Sequence, residues 1–281
     1  TRIVLLLTVM SLSTLVFSSF WYIFTDADIE NVNSLKVLQL LQSVGMFVLP
    51  PFMLAWLWSR MPLKSLKLNI IPSATSIFLT VILLIVAIPG INLLSWFNQQ
   101  IVLPDFLQGL EKWLISSEEE AALLTQKLIS VDTLSGLAVN IVLIAVIPAL
   151  GEELFFRGSL FNIFNNSKSK ILAVWITAVI FSAVHFQFYG FIPRLLLGAL
   201  FGYLLVWSES LWLPIVAHFT NNFIAVIFYY LQYNDYDVPD LDKVGADQTW
   251  WLGLMSLVFT GFCIVWLRIK LKHSPVKTNI S

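Results

Sequence analysis

"GEELFFRG", residues 151–158, follows the apolar run "LAVNIVLIAVIPAL" at 137–150 without an intervening turn signal. Glu152, Glu153 and Arg157 therefore stand inside a stretch apolar enough to be a membrane helix. A charge at the bilayer centre costs roughly 2.5–3.5 kcal/mol on insertion scales, so each needs a partner or a task. The whole chain poses the same question. Hydrophobic residues make up 58% of its 281 positions and charged residues 12%, half the roughly 25% of an average soluble domain. The composition predicts an all-α, polytopic membrane protein forming one helical domain over 1–281, with the bilayer as its surroundings.

Hydropathy divides the chain into eight transmembrane spans at about 3–24, 35–58, 73–97, 134–161, 171–189, 191–207, 211–231 and 250–267. The sixth is the shortest and follows the fifth through "FYGF". The first is too long for a signal-peptide core and lacks a small-residue cleavage site, so it is expected to be a retained helix. Short cytoplasmic loops collect Lys and Arg. With both termini cytoplasmic, all 16 basic residues except Lys36, Lys112, Lys127, Arg194 and Lys243 fall inside, Lys168 and Lys277 among them. All 17 acidic residues except Glu152, Glu153 and Glu209 fall outside or in outer segments, Asp26 among them. The expected location is a bacterial inner (plasma) membrane. The N-N-S stretch at 165–167, a glycosylation acceptor by pattern, is discounted because it falls on the cytoplasmic side.

Between the third and fourth spans, 98–132 reads as an extracytoplasmic amphipathic segment. Within 105–130, Ser116 or Ser117 followed three residues later by Glu is a helix-start pattern. No basic stripe is present to neutralise a phosphate backbone, so nucleic acid is excluded as a partner. Cys263 has no second cysteine to pair with and reads as a small core residue.

Polar residues interrupt two more spans. "FSAVH" puts His185 one helical turn after Phe181 in span five, and "HFTNN" puts His218 and Asn222 on one face of span seven. Glu153 reaches Arg157 along its own helix, while Glu152, rotated by about 100°, looks elsewhere. At 1.5 Å per residue, Glu152, His185 and His218 lie roughly 18, 22 and 12 Å from the cytoplasmic ends of their helices. They can share one hollow opening toward the cytoplasm. Pro148 and Pro214 each stand four residues before a polar site residue, which predicts two helices kinked around that hollow. Arg194 and Glu209 read as interface anchors.

A carboxylate among apolar walls is suited to act as a general base on water. His185 is placed to hold that water, and His218 with Asn222 to donate to an oxyanion. That constellation describes amide hydrolysis without a covalent intermediate. A zinc ion on Glu152, His185 and His218 is the metal-dependent alternative, although H-E-x-x-H is absent and no cofactor is expected.

The set E-E-x-x-x-R at 152–157, F-x-x-x-H at 181–185 and H-x-x-x-N at 218–222 resembles the CPBP family of intramembrane proteases, which includes the type II CAAX prenyl endopeptidases and bacteriocin-processing or self-immunity proteins. The resemblance spans about 134–231, the expected catalytic core. It implies eight helices around a cytoplasm-facing cavity, with Glu152 as base and His185 placing the water. It further implies His218 and Asn222 as oxyanion stabilisers and Glu153–Arg157 as a supporting ion pair. The substrate implied is a peptide or a membrane-anchored protein. Two other functions compete: a non-catalytic scaffold or self-immunity protein, and a proton-coupled transporter, for which intramembrane Glu and His are also expected.

Overall fold

The computed structural model describes residues 2–24, 28, 30–165 and 169–273. Thr1, Asp26, Lys168, Lys277 and the N-N-S stretch beyond Asn165 lie outside them. The described residues form helices joined by short connectors, with no β-sheet. Besides a single helical turn at Pro62–Ser65, the helices are α1 (Arg2–Phe24), α2 (Val32–Ser59), α3 (Ala74–Gln99), α4 (Gln108–Ile129), α5 (Leu134–Asn165), α6 (Lys170–Ala183), α7 (Phe191–Ser208), α8 (Trp212–Tyr233) and α9 (Trp250–His273). Seven of these, all but α4 and α6, are long and apolar enough to cross a membrane once the short turns flanking α7 and α9 are included. The protein is an all-α polytopic membrane protein.

Helix starts follow local chemistry. Asn31, Ser73, Thr133 and Ser169 stand just before α2, α3, α5 and α6, and each side chain accepts a backbone N–H of the first turn. Inside α2 and α5 the helix widens to i→i+5 hydrogen bonding at Val44–Val48, Ile141–Val146 and Leu154–Leu160. The first two wide turns sit just ahead of Pro50-Pro51 and Pro148, residues that supply no N–H to the preceding turn.

Three sequence expectations need correction. The fifth span is not a helix over 171–189: α6 has 14 residues and ends at Ala183. It measures about 21 Å, short of the roughly 30 Å hydrocarbon core. The chain turns at Val184–Gln187, where Phe186 adopts φ 53°, and one tight turn at Phe188–Gly190 leads into α7. Hydropathy runs on through 189 because it registers apolarity, not direction. The sixth span is accordingly the longer member of this hairpin. Secondly, α4 starts at Gln108 after a tight turn at Asp105–Leu107 and runs through Ser116 and Ser117, which therefore cap nothing. Thirdly, Pro214 lies in the first turn of α8, where a missing N–H costs no helical bond, so it does not kink the helix.

The hairpin of α6 and α7 packs closely because α7 presents small residues to its partner. A Cβ on Gly202 would approach Val174 to 2.9 Å, and one on Gly198 would come within 3.3 Å of the Ala178 backbone. Small residues at such spacing let membrane helices approach without a hydrophobic driving force. Gly202→Leu is expected to destabilise the protein by about 1–3 kcal/mol through overpacking, visible as a lower midpoint in detergent unfolding. An unchanged midpoint would show that Val174 moves aside freely.

Elsewhere, α9 lies along α3, while α1 and α2 pack on α5 through a cluster that includes Leu6, Leu54, Phe155 and Phe156. Cys263 is half-buried beside a second cluster of α3, α7 and α8.

Candidate active site

The wide turn Leu154–Leu160 is buried along its whole length and carries Arg157 into the bundle. Both Glu153 and Arg157 are 0% exposed. Arg157 Nη1 donates to Glu153 Oε1 at 2.8 Å, and its Nη2 donates to the Gly198 carbonyl at 2.9 Å. The guanidinium also lies 4.6 Å from the ring centre of Phe181 and 5.4 Å from that of Phe201, so aromatic faces complete its surroundings. A buried charge pair is tolerable when further hydrogen bonds satisfy its remaining groups; these contacts engage Glu153 Oε1 and both terminal nitrogens of Arg157, while Glu153 Oε2 and Arg157 Nε have no hydrogen-bond partner in the protein.

Glu153 Oε1 has a second partner, His218 Nδ1, at 2.9 Å. A carboxylate only accepts, so Nδ1 carries the proton and the ring is oriented. Stacking on Phe201, with ring centres 5.3 Å apart, holds the ring plane, and Phe181 meets it edge-on at 5.9 Å. His218 Nε2 then points toward Glu152 Oε2 at 3.9 Å. That separation is too long for a direct hydrogen bond. Oε2 of Glu152 is buried and has no hydrogen-bond partner in the protein.

His185 does not sit on a helix, as the sequence reading had it, but in the reversal after α6. Its Nδ1 lies 2.7 Å from the Phe181 carbonyl, an obligate acceptor, so Nδ1 donates and Nε2 bears the free lone pair. Asn222 Nδ2 donates to the Ile144 carbonyl at 3.2 Å. That carbonyl is the one a helical N–H at position 148 would have taken. Pro148 cannot donate, and Asn222 satisfies the freed oxygen, joining α8 to α5.

Glu152, His185, His218 and Asn222 line one cavity of about 390 Å³. Its other walls include Asn92 and Ser95 near the end of α3, and Gly190 and Arg194 where α7 begins. Arg194 was read as an interface anchor; it faces this cavity instead. Phe201 carries no signal in the sequence, since an aromatic in an apolar span looks like any other, and Phe181 stands out only as the first residue of F-x-x-x-H, with no role attached. For Arg194 the signal existed: a charge inside an apolar segment.

The lining also bears on the direction of the hollow. Asn98, at the end of α3, donates to the Phe188 carbonyl at 2.8 Å and accepts from Ile192 N at 2.9 Å. Glu118 of α4 accepts from Tyr189 N at 3.2 Å. These contacts tie α4 and the end of α3 to the start of α7, next to the cavity walls at Ser95, Gly190 and Arg194. At the opposite end, Leu211 N and Trp212 Nε1 donate to the carbonyls of Lys67 and Leu68 at 3.1 and 2.9 Å, and Leu66, Leu154, Phe161 and Leu211 pack into a core cluster. The sequence reading expects a hollow opening toward that lysine-bearing end; the α6–α7 turn brings His185 and Arg194 beside Asn92 and Ser95 near the end of α3.

For the metal alternative, the described residues contain no group of three or more His, Cys, Asp or Glu side chains arranged to hold an ion, so Glu152, His185 and His218 do not fit a zinc site as they stand.

Residues 134–224 match the family described as type II CAAX prenyl endopeptidase Rce1-like. The match covers about a third of the chain, and within it this protein is similar to that family. It spans α5, α6, α7 and the first half of α8, and therefore all of Glu152, Glu153, Arg157, His185, His218 and Asn222. No curated protein and no solved structure matches the chain.

Proposed function

We propose that this protein is a membrane-embedded endopeptidase that uses Glu152-activated water to cut a peptide or a membrane-anchored, including lipid-modified, protein. The similarity to type II CAAX prenyl endopeptidases supports a membrane peptidase in general. One observation carries the specific reading: an unpartnered Glu152 oxygen and Nε2 of an oriented His218, 3.9 Å apart in a polar cavity. Water bound near His185 Nε2 loses a proton to Glu152 and attacks the carbonyl carbon. His218, as imidazolium with its Nδ1 proton held by Glu153, and the second N–H of Asn222 stabilise the oxyanion. Glu152 then passes the proton to the leaving nitrogen as the C–N bond breaks.

The test is cleavage of a library of N-palmitoylated octapeptides by the purified protein in detergent, with products read by mass spectrometry. Products that take one oxygen from ¹⁸O-labelled water, at a rate unaffected by a zinc chelator, are expected. Chelator-abolished cleavage restored by zinc would replace this mechanism with the metal one, and a folded protein that yields no products would return it to the scaffold reading.

Positive-inside charge supports an orientation with the termini and the 60–73 connector in the cytoplasm, and eight crossings if α6 and its turn count as one. In that orientation the cavity lies toward the outer face, whereas a cytoplasm-facing cavity requires the reverse. In a Cys263→Ala background, Glu119→Cys on α4 is expected to react with an impermeant maleimide in intact cells, and Arg60→Cys only after permeabilisation. The opposite labelling pattern would restore the cytoplasm-facing hollow.

A further inference from the structure

Arg194 is a charge that the catalytic scheme does not use. It lines the same cavity as Glu152, His185 and His218. Its hydrogen-bond partners are neutral: Nη2 donates to Gln187 Oε1 at 2.5 Å and Nη1 to the Gln187 carbonyl at 3.5 Å. Among the described residues no carboxylate lies within ion-pair distance of it. Glu118 and Glu152 act on it only through longer-range electrostatics. Beside the guanidinium, Gly190 contributes no side chain; a Cβ there would stand 3.1 Å from Arg194 Nη2. A half-buried cation with neutral partners, at the wall of a small polar cavity, is a receptor for an anion, and guanidinium binds carboxylates in a two-pronged geometry.

We infer that Arg194 is a specificity residue that binds a carboxylate of the substrate in the catalytic cavity, carried by a free chain end or by an acidic side chain. The inference rests on the peptidase reading and adds to it the chemistry of the group bound beside the scissile bond. A cavity of about 390 Å³ is near the small end of ligand pockets, so whatever enters places its polar groups close to Arg194 and Glu152 together.

The experiment divides the N-palmitoylated octapeptide library into arms. One pair has free or amidated C-termini; the other has internal Asp and Glu or the matching Asn and Gln. The native protein should favour one acidic arm over its neutral counterpart by about tenfold or more, the scale of a charge-assisted hydrogen bond. Arg194→Gln should reduce that ratio below about threefold, and Arg194→Lys should give an intermediate value because it keeps the charge but loses the fork. The ratio is the readout because a loosened fold or a mispositioned Glu152 slows both arms together and leaves it unchanged. The arm that discriminates identifies the source of the carboxylate. No discrimination by the native protein, or discrimination that survives Arg194→Gln, overturns the proposal. Retention of the same peptides by the Glu152→Gln protein separates the two readings: discrimination in binding without any cleavage by the native protein rejects the peptidase and keeps the receptor, while indiscriminate binding rejects the receptor.

Discussion

Glu152→Gln is expected to lower kcat/KM for peptide hydrolysis by about 10²–10⁴-fold, the contribution of a positioned general base, while the unfolding midpoint stays within the spread of native preparations. The amide has the same shape as the carboxylate and removes only the basic oxygen. That oxygen is the part of Glu152 with least structural use, since Oε2 is unpartnered within the protein and lies 3.9 Å from His218 Nε2. A variant that unfolds would instead assign Glu152 to the scaffold. A variant that keeps full activity would remove Glu152 from the chemistry. Steady-state rates on the most rapidly cut library peptide, with circular dichroism on the same preparation, distinguish these outcomes.

Arg157→Met is expected to be the most damaging single change to stability, costing on the order of 3–5 kcal/mol. It strands a fully buried Glu153 carboxylate, leaves the Gly198 carbonyl without its donor and removes the cation from the faces of Phe181 and Phe201. Adding Glu153→Gln to Arg157→Met should recover part of the loss, because the stranded charge disappears with its partner. Hydrolysis should fall further in the double variant, since His218 Nδ1 then faces an amide in place of a carboxylate. Unfolding midpoints of the two single variants and the double variant test this; additive losses would show that Glu153 and Arg157 act independently despite their 2.8 Å contact.

The site was legible in part. Intramembrane charges stand out because lipid makes each of them costly, which is why Glu152, Glu153, Arg157, His185, His218 and Asn222 could be picked from the chain as candidates. That Glu152 and Glu153 leave the helix about 100° apart followed from helical rotation alone. Periodicity did not reveal that Phe181 touches Arg157, His185 and His218 together, or that Asn222 replaces the hydrogen bond denied by Pro148. Those relations join different helices.

By itself, the sequence determined the all-α membrane class, most helix positions and the polar groups inside apolar segments. These are local properties: they depend on composition over about 20 residues and on the cost of charge in lipid. Tertiary structure alone decided where α6 stops, that α4 runs unbroken from Gln108, and that Arg194 faces the cavity. Hydropathy reads a turn made of Val, His and Phe as a continuing helix, and only packing against the end of α3 reverses the chain there.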